Sequence, residues 1–450
     1  MKINMPPQAK YIIDVLLQAG FDAYIVGGCV RDSVLGKTPA DWDITTSARP
    51  SEVKRLFGRT IDTGLAHGTV TVMLDKTGYE VTTYRIDGIY EDHRRPSDVT
   101  FTDNLKEDLM RRDFTINAMA YNDRAGLVDY FGGQDDLENK IIRCVGNPLD
   151  RFGEDALRML RAVRFAAQLG FTIEDATMRA ITERRELLMD VSAERIQMEL
   201  LKMMMSDHPE VFRLAYDTGL TGIFFPEFDD MMATLQNNPH HRFTVGEHTL
   251  CALTHIGNNP VLRLTVLLHD VGKPGCRSTD QAGIDHFYGH DAAGEELSRR
   301  ILRRLKFDNR TIHIVGILIA NHDQRFREPL TTGRNHVRKV MSKVGETLFP
   351  YLLDVMEADV RAQSTYLQDK KLATLQEVRQ ACEEIIADKN CLKIKDLAVN
   401  GRDLIAIGIS EGKEIGAILH TLLNLVLEDP SLNERESLLE LASKIHSQLH

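Results

Sequence analysis

The sequence predicts an α+β protein in which an α/β head precedes a long, all-helical body. Short β-branched segments bounded by Gly, Pro or Asp occur up to about residue 146 and then stop. From about residue 148 onward the apolar residues follow helical spacing. The 450 residues also exceed what one hydrophobic core usually supports, which favours about three domains. We therefore expect a head at 1–147, a helical neck at 148–235, a histidine-rich domain at 236–368 and a helical tail at 369–450.

The elements of the head follow from their local patterns. Residues 9–19 form an amphipathic helix pattern, and residues 50–57 place a proline in the first helical turn. The β-branched runs are typical of strands and lie at residues 23–28, 41–47, 68–74, 79–85, 126–131 and 140–146.

Composition and charge exclude several classes of protein. With 43% hydrophobic and 27% charged residues, the chain is neither disordered nor collagen-like. It has no apolar run near the ~20 residues of a membrane span and no signal-peptide pattern at its start. Its six scattered cysteines lack a CxxC pair. These features favour a cytoplasmic location for the protein. The net charge of −11 excludes a uniformly basic nucleic-acid binder but still allows a local basic face.

Two aspartates flank the only tryptophan of the chain. Asp41 and Asp43 lie at positions i and i+2 of a predicted strand, so their carboxylates point to the same face. Carboxylates held side by side favour a cation between them, and Mg²⁺ prefers such ligands together with phosphate oxygens. Because the motif is short, a solvated Asp-x-Asp at a strand end is the better explanation when the motif is taken by itself.

The residues just upstream strengthen the interpretation as a phosphate site. Gly27 and Gly28 follow a predicted strand, and two glycines allow backbone N–H groups to approach a phosphate closely. Arg31 lies about one turn later and can pair with phosphate oxygens. A strand, two glycines, an Arg-Asp pair and Asp-x-Asp thus fall within a short stretch of chain.

These residues carry a family resemblance. The segment IVGGCVRDSVLGKTPADWDITTSARP resembles the head of the class II tRNA nucleotidyltransferases, which include the CCA-adding enzymes and the bacterial poly(A) polymerases. Three later segments resemble further motifs of that family in the same order: RRDFTINAMAYN, EDALRMLRAVRFAAQLGF and ERIQMELLKMM. The resemblance implies a polymerase-β-like nucleotidyltransferase head, a base-reading and RNA-binding neck, and a tail that binds tRNA. It also implies CTP and ATP as substrates and Mg²⁺ as the metal.

The resemblance assigns roles to individual residues. Asp41 and Asp43 resemble the catalytic metal-binding pair, and Glu80 is a candidate third carboxylate, although an exposed strand glutamate is an alternative. The candidate nucleotide-binding residues of the head are Gly28, Arg31, Arg111, Arg112, Asp113 and Asn117. We expect Arg111 and Arg112 to lie at a helix start, where cations are unfavourable unless an anion offsets them.

A helical segment carries the residues that resemble a base reader. Asp155 and Arg158 are three residues apart, which would place both on one helix face. A carboxylate accepts hydrogen bonds and a guanidinium donates them, so the pair can match the Watson–Crick edge of cytosine or adenine. An ordinary surface ion pair is the alternative. Arg161 and Arg164 extend the basic face toward nucleotide or RNA, or simply toward solvent.

Residues 85–110 form a polar, charged connection. Within them, HRRPSDV resembles the flexible loop that family members need for adding adenine. Its presence favours the addition of A as well as C. Full CCA addition, A-only addition and a poly(A) polymerase remain alternatives at this point.

Histidines are concentrated in the predicted third domain. Nine of the sixteen lie between His240 and His322. The order H…HD…H…H…D resembles the histidine–aspartate (HD) phosphohydrolase superfamily. Imidazoles with carboxylates suit Ni²⁺, Mn²⁺, Zn²⁺ or Fe²⁺. The candidate metal ligands are His248, His269, Asp270, His290, His322 and Asp359, with Asp354 as the rival of Asp359. A phosphohydrolase whose head merely binds RNA is therefore a further alternative. We expect no membrane association and no obligate protein partner.

Overall fold

A computed structural model of the chain describes residues 2–88, 99–326 and 330–449. The backbone separates into two compact units, Met1–Pro226 and Glu227–His450. The core of the adenine-addition loop predicted from HRRPSDV lies outside the described residues. The four domain boundaries predicted above remain predictions.

The first unit contains a seven-stranded mixed sheet in the order β3-β4-β5-β2-β1-β8-β9. Strands β2 and β5 are parallel, and every other neighbouring pair is antiparallel. Two short pairs, β6 with β7 and β10 with β11, lie apart from this sheet. The strands are β1 Ala23–Val26, β2 Ile44–Thr46, β3 Thr60–Gly64, β4 Thr69–Leu74, β5 Thr77–Thr83, β6 Arg85–Asp87, β7 Val99–Phe101, β8 Met119–Asn122, β9 Gly126–Asp129, β10 Ile141–Ile142 and β11 Thr172–Ile173.

Helices of the first unit cover the sheet and then continue as a helical segment. Apolar residues at helical spacing bury one face of the first helix, where Ile12, Ile13 and Leu16 are buried. The helices are α1 Pro7–Gln18, α2 Gly28–Val34, α3 Pro50–Leu56, α4 Leu105–Met110, α5 Gly133–Glu138, α6 Pro148–Glu154, α7 Leu157–Leu169, α8 Asp175–Arg184, α9 Ala193–Met204, α10 Arg213–Asp217 and α11 Thr221–Phe224. Short 3₁₀ turns lie at Leu65–His67, Thr115–Asn117, Arg185–Asp190 and Pro209–Phe212.

The second unit is helical apart from one small hairpin, β12 Ser278–Thr279 with β13 Asp285–His286. Its later helices share an apolar core that includes Phe349, Leu352 and Leu422. The helices are α12 Pro226–Ala233, α13 Val245–Leu253, α14 Pro260–Leu268, α15 Lys273–Cys276, α16 His290–Arg304, α17 Asn309–Ile319, α18 Leu330–Val344, α19 Phe349–Ala362, α20 Gln368–Ala387, α21 Gly401–Ala406, α22 Lys413–Glu428 and α23 Arg435–Leu449. Two 3₁₀ turns lie at Ile394–Asp396 and Pro430–Leu432.

The predicted α+β class, a head with a sheet followed by a helical body, is confirmed. The strands do not stop completely after residue 148, because β11 pairs with β10 and the β12–β13 hairpin follows the histidine–aspartate motif. Such two-residue strands are too short to give an alternating pattern in sequence. Among the described residues, every helix is too short or too polar to cross a membrane.

Candidate active sites

Asp41 and Asp43 lie immediately before β2, and not inside it as the alternation of the sequence predicted. The extended pairing nevertheless reaches Asp43, because the Val26 N–H donates to the Asp43 carbonyl at 3.0 Å. In the parallel ladder Ile44 is opposite Val81. The residue before each, Asp43 and Glu80, therefore lies at the same end of neighbouring strands, and the role of Glu80 as a third carboxylate stays a prediction.

The electrostatics of this group fit a cation. Asp41, Asp43 and Glu80 are all exposed. The pKa of Asp43 is raised to about 6 by desolvation from the surrounding protein, by the charge of Asp41 and, to a smaller extent, by Glu80, while Arg112 opposes the shift. Carboxylates that repel one another in this way would be stabilised by a bound divalent ion. The donor set, oxygen atoms with open positions, suits Mg²⁺ in particular.

Gly27 allows an arginine to approach the start of α2. Its φ is +80°, and a Cβ at this position would lie 2.9 Å from Nη1 of Arg112. The predicted contact residue Gly28 is the first residue of α2. Nε of Arg112 is buried without a hydrogen-bond partner among the described residues, and its guanidinium is close enough to Asp43 to affect the pKa of that carboxyl. A cation with an unused donor close to Asp43 is well placed for a nucleotide phosphate.

A buried aspartate that the sequence analysis missed holds both arginines of the RRD motif. Asp108 is fully buried and accepts from Nε and Nη2 of Arg111 at 3.0 and 2.8 Å and from Oγ1 of Thr45 at 3.0 Å. Nη2 of Arg112 lies 3.7 Å from its other oxygen. Burial alone would raise the pKa of Asp108, but the charges of Arg111 and Arg112 lower it. The carboxylate therefore remains ionised and fixes both guanidinium groups.

The expectation that Arg111 and Arg112 lie at a helix start is wrong. Arg111 is the C-terminal cap of α4, and Arg112 follows it. Cations are favoured at this end of a helix by the helix dipole. The helix dipole therefore explains the position of both arginines without a bound anion. The observation that favours a phosphate site is instead the unused donor of Arg112.

A hydrogen-bonded network joins α2 to α7. Asn117 accepts from Nη1 of Arg31 at 2.7 Å and donates to Asp113 at 3.1 Å. Asp113 also accepts from Nε of Arg161 at 2.8 Å and from its Nη2. Burial would raise the pKa of Asp113, but Arg161 and the hydrogen bond from Asn117 hold it well below its ordinary range. Four of the predicted nucleotide-binding residues are thus joined by hydrogen bonds.

The aromatic ring of Phe165 contacts the guanidinium groups of three arginines. The guanidinium carbons of Arg31, Arg161 and Arg164 lie 5.1, 5.4 and 3.9 Å from its ring centroid, distances typical of cation–π contacts. Nε of Arg164 is also 2.6 Å from a carboxylate oxygen of Glu199 on α9, and both side chains are buried. Arg164 is therefore part of the interior, and the prediction of a solvated or RNA-facing residue does not hold.

The prediction that Asp155 and Arg158 share one helix face is wrong. Asp155 is extended, with φ −136° and ψ 103°, between α6 and α7. Its carboxylate accepts from the Leu157 N–H at 3.1 Å and from Arg195 at 2.8 Å. Arg158 is buried and donates to Glu154 at 2.6 Å and to the carbonyl of Arg111 at 2.8 Å. The two candidate base readers thus have other partners in this state, with Arg195 of α9 holding the aspartate.

In the second unit, the six candidate ligands from the histidine-rich segment converge. One group contains His248, His269 and Asp359 and the other contains Asp270, His290 and His322, with the ligand atoms of each group within 4.8 Å of one another. All are buried except Asp359, which is half-buried. Asp354 pairs instead with Arg379 at 2.8 Å. The structure thus brings Asp359, and not its rival, to the cluster.

Asp270 lies between the two groups. Its Oδ2 is 3.2 Å from Nε2 of His269 and 3.8 Å from Nε2 of His248, whereas its Oδ1 is 3.6 and 3.8 Å from Nε2 of His322 and His290. Lys273, which the sequence analysis did not single out, lies 2.7 Å from Oδ2. Burial would raise the pKa of Asp270, but the charges of His269 and Lys273 keep it well below its ordinary value.

The orientation of the rings suits metal ions. Nδ1 atoms of His269, His290 and His322 bond backbone carbonyls at 2.7 to 2.8 Å, which leaves their Nε2 atoms directed at Asp270. Nε2 of His269 is buried without a hydrogen-bond partner among the described residues. Carbonyl bonds of this kind commonly fix the tautomer of a metal-binding histidine. The donor set therefore fits one or two transition-metal ions.

Comparison with known proteins agrees with the geometry of the first unit. The family model of the poly A polymerase head domain matches residues 23–143. The models of the RNA and SrmB-binding site of polymerase A and of tRNA nucleotidyltransferase domain 2 match residues 170–232 and 290–442. A CCA-adding enzyme of Levilactobacillus brevis is 36% identical over 435 residues, which cover 96% of each chain. The chain belongs to the CCA-adding enzyme family.

Two further relatives support this membership. A CCA-adding enzyme of Lactiplantibacillus plantarum is 50% identical over 235 residues, which are 51% of this chain and 56% of that relative. The crystal structure of the Bacillus stearothermophilus CCA-adding enzyme in complex with CTP covers 99% of both chains at 30% identity, with a TM-score of 0.73. Members of this family are metal-dependent nucleotidyltransferases, as the RRD and Asp-x-Asp motifs implied. None of these matches carries the name of an HD domain.

Proposed function

We propose that this chain adds C and A nucleotides to the 3′ end of tRNA without a nucleic-acid template, using CTP and ATP. The observation that carries the proposal is that Asp41 and Glu80 lie close enough to Asp43 to raise its pKa, and that Arg112, which is held near Asp108, lies close enough to lower it. Acidic metal ligands next to anchored guanidinium groups are what transfer of a nucleotidyl group requires.

In this reaction the terminal hydroxyl of the RNA bonds to the α-phosphorus, the bond to pyrophosphate breaks, and the hydroxyl proton leaves to solvent. Mg²⁺ held by Asp41 and Asp43 would activate that hydroxyl and neutralise the leaving group. The guanidinium of Arg112, whose charge acts on Asp43, would bind the triphosphate. Asn117 and Asp113, already joined to Arg31 and Arg161, would hold the ribose and the remaining phosphates in register.

Base choice would belong to Asp155 and Arg158. The carboxylate accepts from the amino group of cytosine or adenine, and the guanidinium donates to the ring acceptors beside it. Guanine and uracil present the reverse order, which leaves polar groups unpaired at about 1–3 kcal/mol each. Because Arg195 and Glu154 hold these side chains in the observed state, base reading requires an exchange of partners.

The test is a set of addition assays on tRNA transcripts that end before CCA, after C and after CC, each with a single nucleoside triphosphate. We expect CMP to be added to the first two and AMP only to the third. A long adenosine tail would identify a poly(A) polymerase, and addition of A alone to the CC transcript would identify an A-adding enzyme.

A second function is favoured by the histidine cluster. Six ligands of the right types converge, and the ring orientations leave lone pairs directed inward. We propose that they bind a transition metal, with His248, His269 and Asp359 at one position, His290 and His322 at a second, and Asp270 between them. Such an ion would lower the pKa of bound water near neutrality. The expected reaction is hydrolysis of a small phosphoester such as a 2′,3′-cyclic nucleotide.

The test of this second function has two readouts. Elemental analysis of the purified full chain should find a transition metal that survives exchange into Mg²⁺ buffer, and added Ni²⁺ or Mn²⁺ should support phosphoester hydrolysis. A chain with neither metal nor hydrolysis would leave the histidines as interior residues of a scaffold.

A further inference from the structure

The C-terminal end of helix α4 contacts the helical segment that carries the predicted base readers. The carbonyl of Met110 accepts from Nη1 of Arg151 at 3.0 Å. The carbonyl of Arg111 accepts from Nη2 of Arg158 at 2.8 Å. Carbonyl groups at this end of a helix have no partner within the helix and carry a partial negative charge, so they attract guanidinium groups. The position of Arg158, a predicted base reader, is therefore set in part by the end of α4.

One buried side chain fixes that end of α4 to the rest of the first unit. The carboxylate of Asp108 accepts from Oγ1 of Thr45 on β2 at 3.0 Å and from the N–H of Arg85 on β6 at 3.4 Å. It also accepts from Nε and Nη2 of Arg111, three residues later on the chain. Thr45 and Asp108 are both 0% exposed, so water does not compete for the bond between them.

The two elements that donate to Asp108 are themselves held in β structure. Thr45 lies within the large sheet, opposite Thr82 in the parallel ladder, and Arg85 is opposite Phe101 in the β6–β7 pair. The hydroxyl of Thr45 is also 3.3 Å from the carbonyl of Thr82, but the nearer and charged carboxylate is the stronger acceptor. Asp108 therefore relates the position of α4 to the strands on which the site is built.

The same carboxylate also lies close to the other parts of the nucleotide site. Thr45 follows the metal-binding candidate Asp43 by two residues, and Nη2 of Arg112 lies 3.7 Å from Oδ2 of Asp108. Because Asp108 is completely buried, it cannot contact a nucleotide in this state. Any effect of Asp108 on the reaction must pass through the side chains that it holds.

We infer that Asp108 is a positioning residue for base choice, which acts through Arg111 on Arg158 and not by contact with the nucleotide. The inference rests on the proposed nucleotide addition and on the role of Arg158 in it. Groups that recognise a ligand must be held within about 0.5 Å of the productive geometry. A shift of the end of α4 would move the guanidinium of Arg158 away from the edge of the base, and the preference for C and A over U and G would fall.

The experiment measures incorporation of each of the four nucleoside triphosphates by the full chain, with discrimination given as a ratio of kcat/KM. Thr45→Val keeps the branched shape and removes the hydroxyl that donates to Asp108. Discrimination of CTP over UTP and of ATP over GTP should fall about threefold to tenfold, as loss of one hydrogen bond predicts. Asp108→Asn removes the charge, so we expect a fall of about tenfold or more, together with a higher KM for every triphosphate through Arg112.

The matched control is Thr82→Val, the same change on the neighbouring strand. Thr82 is opposite Thr45 in the ladder, but its hydroxyl bonds that of Thr69 at 3.0 Å, and we expect its discrimination to be unchanged. Removal of one partner of a buried ion pair is strongly destabilising, so circular dichroism and the Tm are recorded for each variant. If Asp108→Asn does not fold, Thr45→Val decides the test.

A double variant tests whether the effect passes through Arg158. When Arg158→Ala is already present, Thr45→Val should cause no further loss of discrimination, because the side chain on which it acts is absent. Two changes that act through one group are not additive, whereas independent changes are. A full additive loss in the double variant would overturn the route from Asp108 to Arg158.

The outcomes separate this inference from the function on which it rests. Reduced discrimination in Thr45→Val, with Thr82→Val unchanged, supports it. Suppose that Arg158→Ala loses discrimination while Thr45→Val and Asp108→Asn keep it and show only a lower Tm. The inference is then wrong, Asp108 only stabilises the fold, and the proposed base reading stands. Unchanged discrimination in Arg158→Ala as well would overturn the base reading itself, and the inference with it.

Discussion

The two candidate metal sites of this chain are built from different residues in different surroundings. In the first unit, Asp41 and Asp43 are exposed on a strand end, and the pKa of Asp43 is raised to about 6 by desolvation and by neighbouring carboxylates. In the second unit, His269 and Asp270 are each only 1% exposed, and positive neighbours keep Asp270 ionised although burial opposes it. The first site is open and acidic, and the second is enclosed and rich in imidazole.

The difference predicts how each metal behaves. An open pair of carboxylates needs substrate phosphate oxygens to complete the coordination of Mg²⁺, so the metal should arrive with the nucleotide and leave with pyrophosphate. An enclosed set of imidazoles and carboxylates can satisfy a transition metal from the protein alone. The metal should then remain bound through purification.

The largest expected effect is loss of nucleotide addition in Asp43→Ala and Asp41→Ala. Removal of a metal-binding carboxylate should cost several kcal/mol of transition-state stabilisation, or roughly a thousandfold in rate. Addition to a tRNA transcript checks this, with circular dichroism to confirm folding. The matched control is Asp62→Ala, which removes an exposed strand carboxylate that pairs with Lys54. Near-normal addition by Asp43→Ala would overturn the proposed site.

The reciprocal test removes the enclosed site. The double variant His269→Ala, Asp270→Ala should lose its transition metal and its phosphoester hydrolysis while CCA addition continues. Because loss of Asp270 leaves the buried Lys273 without its carboxylate partner, which is strongly destabilising, the milder Asp270→Asn is measured alongside. The exposed His313→Ala is the control. If Asp270→Asn folds and keeps a full complement of metal, the bridging role of Asp270 is wrong.

Local pattern predicted the acidic residues of the head and the elements around them. The alternation of Asp41 and Asp43 predicted that their carboxylates lie close together, and although both residues precede β2, the charge of Asp41 does raise the pKa of Asp43. The sequence also contained a pattern that could have identified Asp108, since Arg111 and Arg112 follow it at the helical spacings of three and four residues. The ligands of the histidine cluster were predicted together because the order of these residues along the chain resembles that of a known superfamily. Their spacing is not periodic and would not have identified them.

The sequence did not predict side-chain contacts between residues that are distant along the chain. The helical pattern of residues 154–171 is continuous, yet Asp155 is extended because its side chain caps the Leu157 N–H and binds Arg195. Glu199 similarly neutralises Arg164 from another helix. No local pattern marks Phe165 as a contact of three arginines, because an apolar residue in a buried helix face is ordinary in sequence.

A smaller effect is expected for the base readers of the open site. Asp155→Ala or Arg158→Ala should reduce discrimination against UTP and GTP about tenfold to a hundredfold, with little change in the affinity for the triphosphate. Single-nucleotide incorporation with each of the four triphosphates measures this. The matched control is Asp217→Ala, which breaks an exposed ion pair with Arg213 on α10. Unchanged discrimination in both variants would make Asp155 and Arg158 structural residues.

The smallest expected effect is on the stability of the fold when no metal is bound at the open site. A carboxyl whose pKa is raised when folded favours its neutral form, so ionised Asp43 destabilises the fold at pH values above about 6 and not below about 4. Asp43→Asn should therefore raise the Tm of chelator-treated protein at pH 7.5, and the gain should fade as the pH is lowered toward 5. Because Asp43 is exposed and screened by solvent, we expect at most a few degrees. A gain that is equal at both pH values would show that the repulsion among Asp41, Asp43 and Glu80 is not its cause.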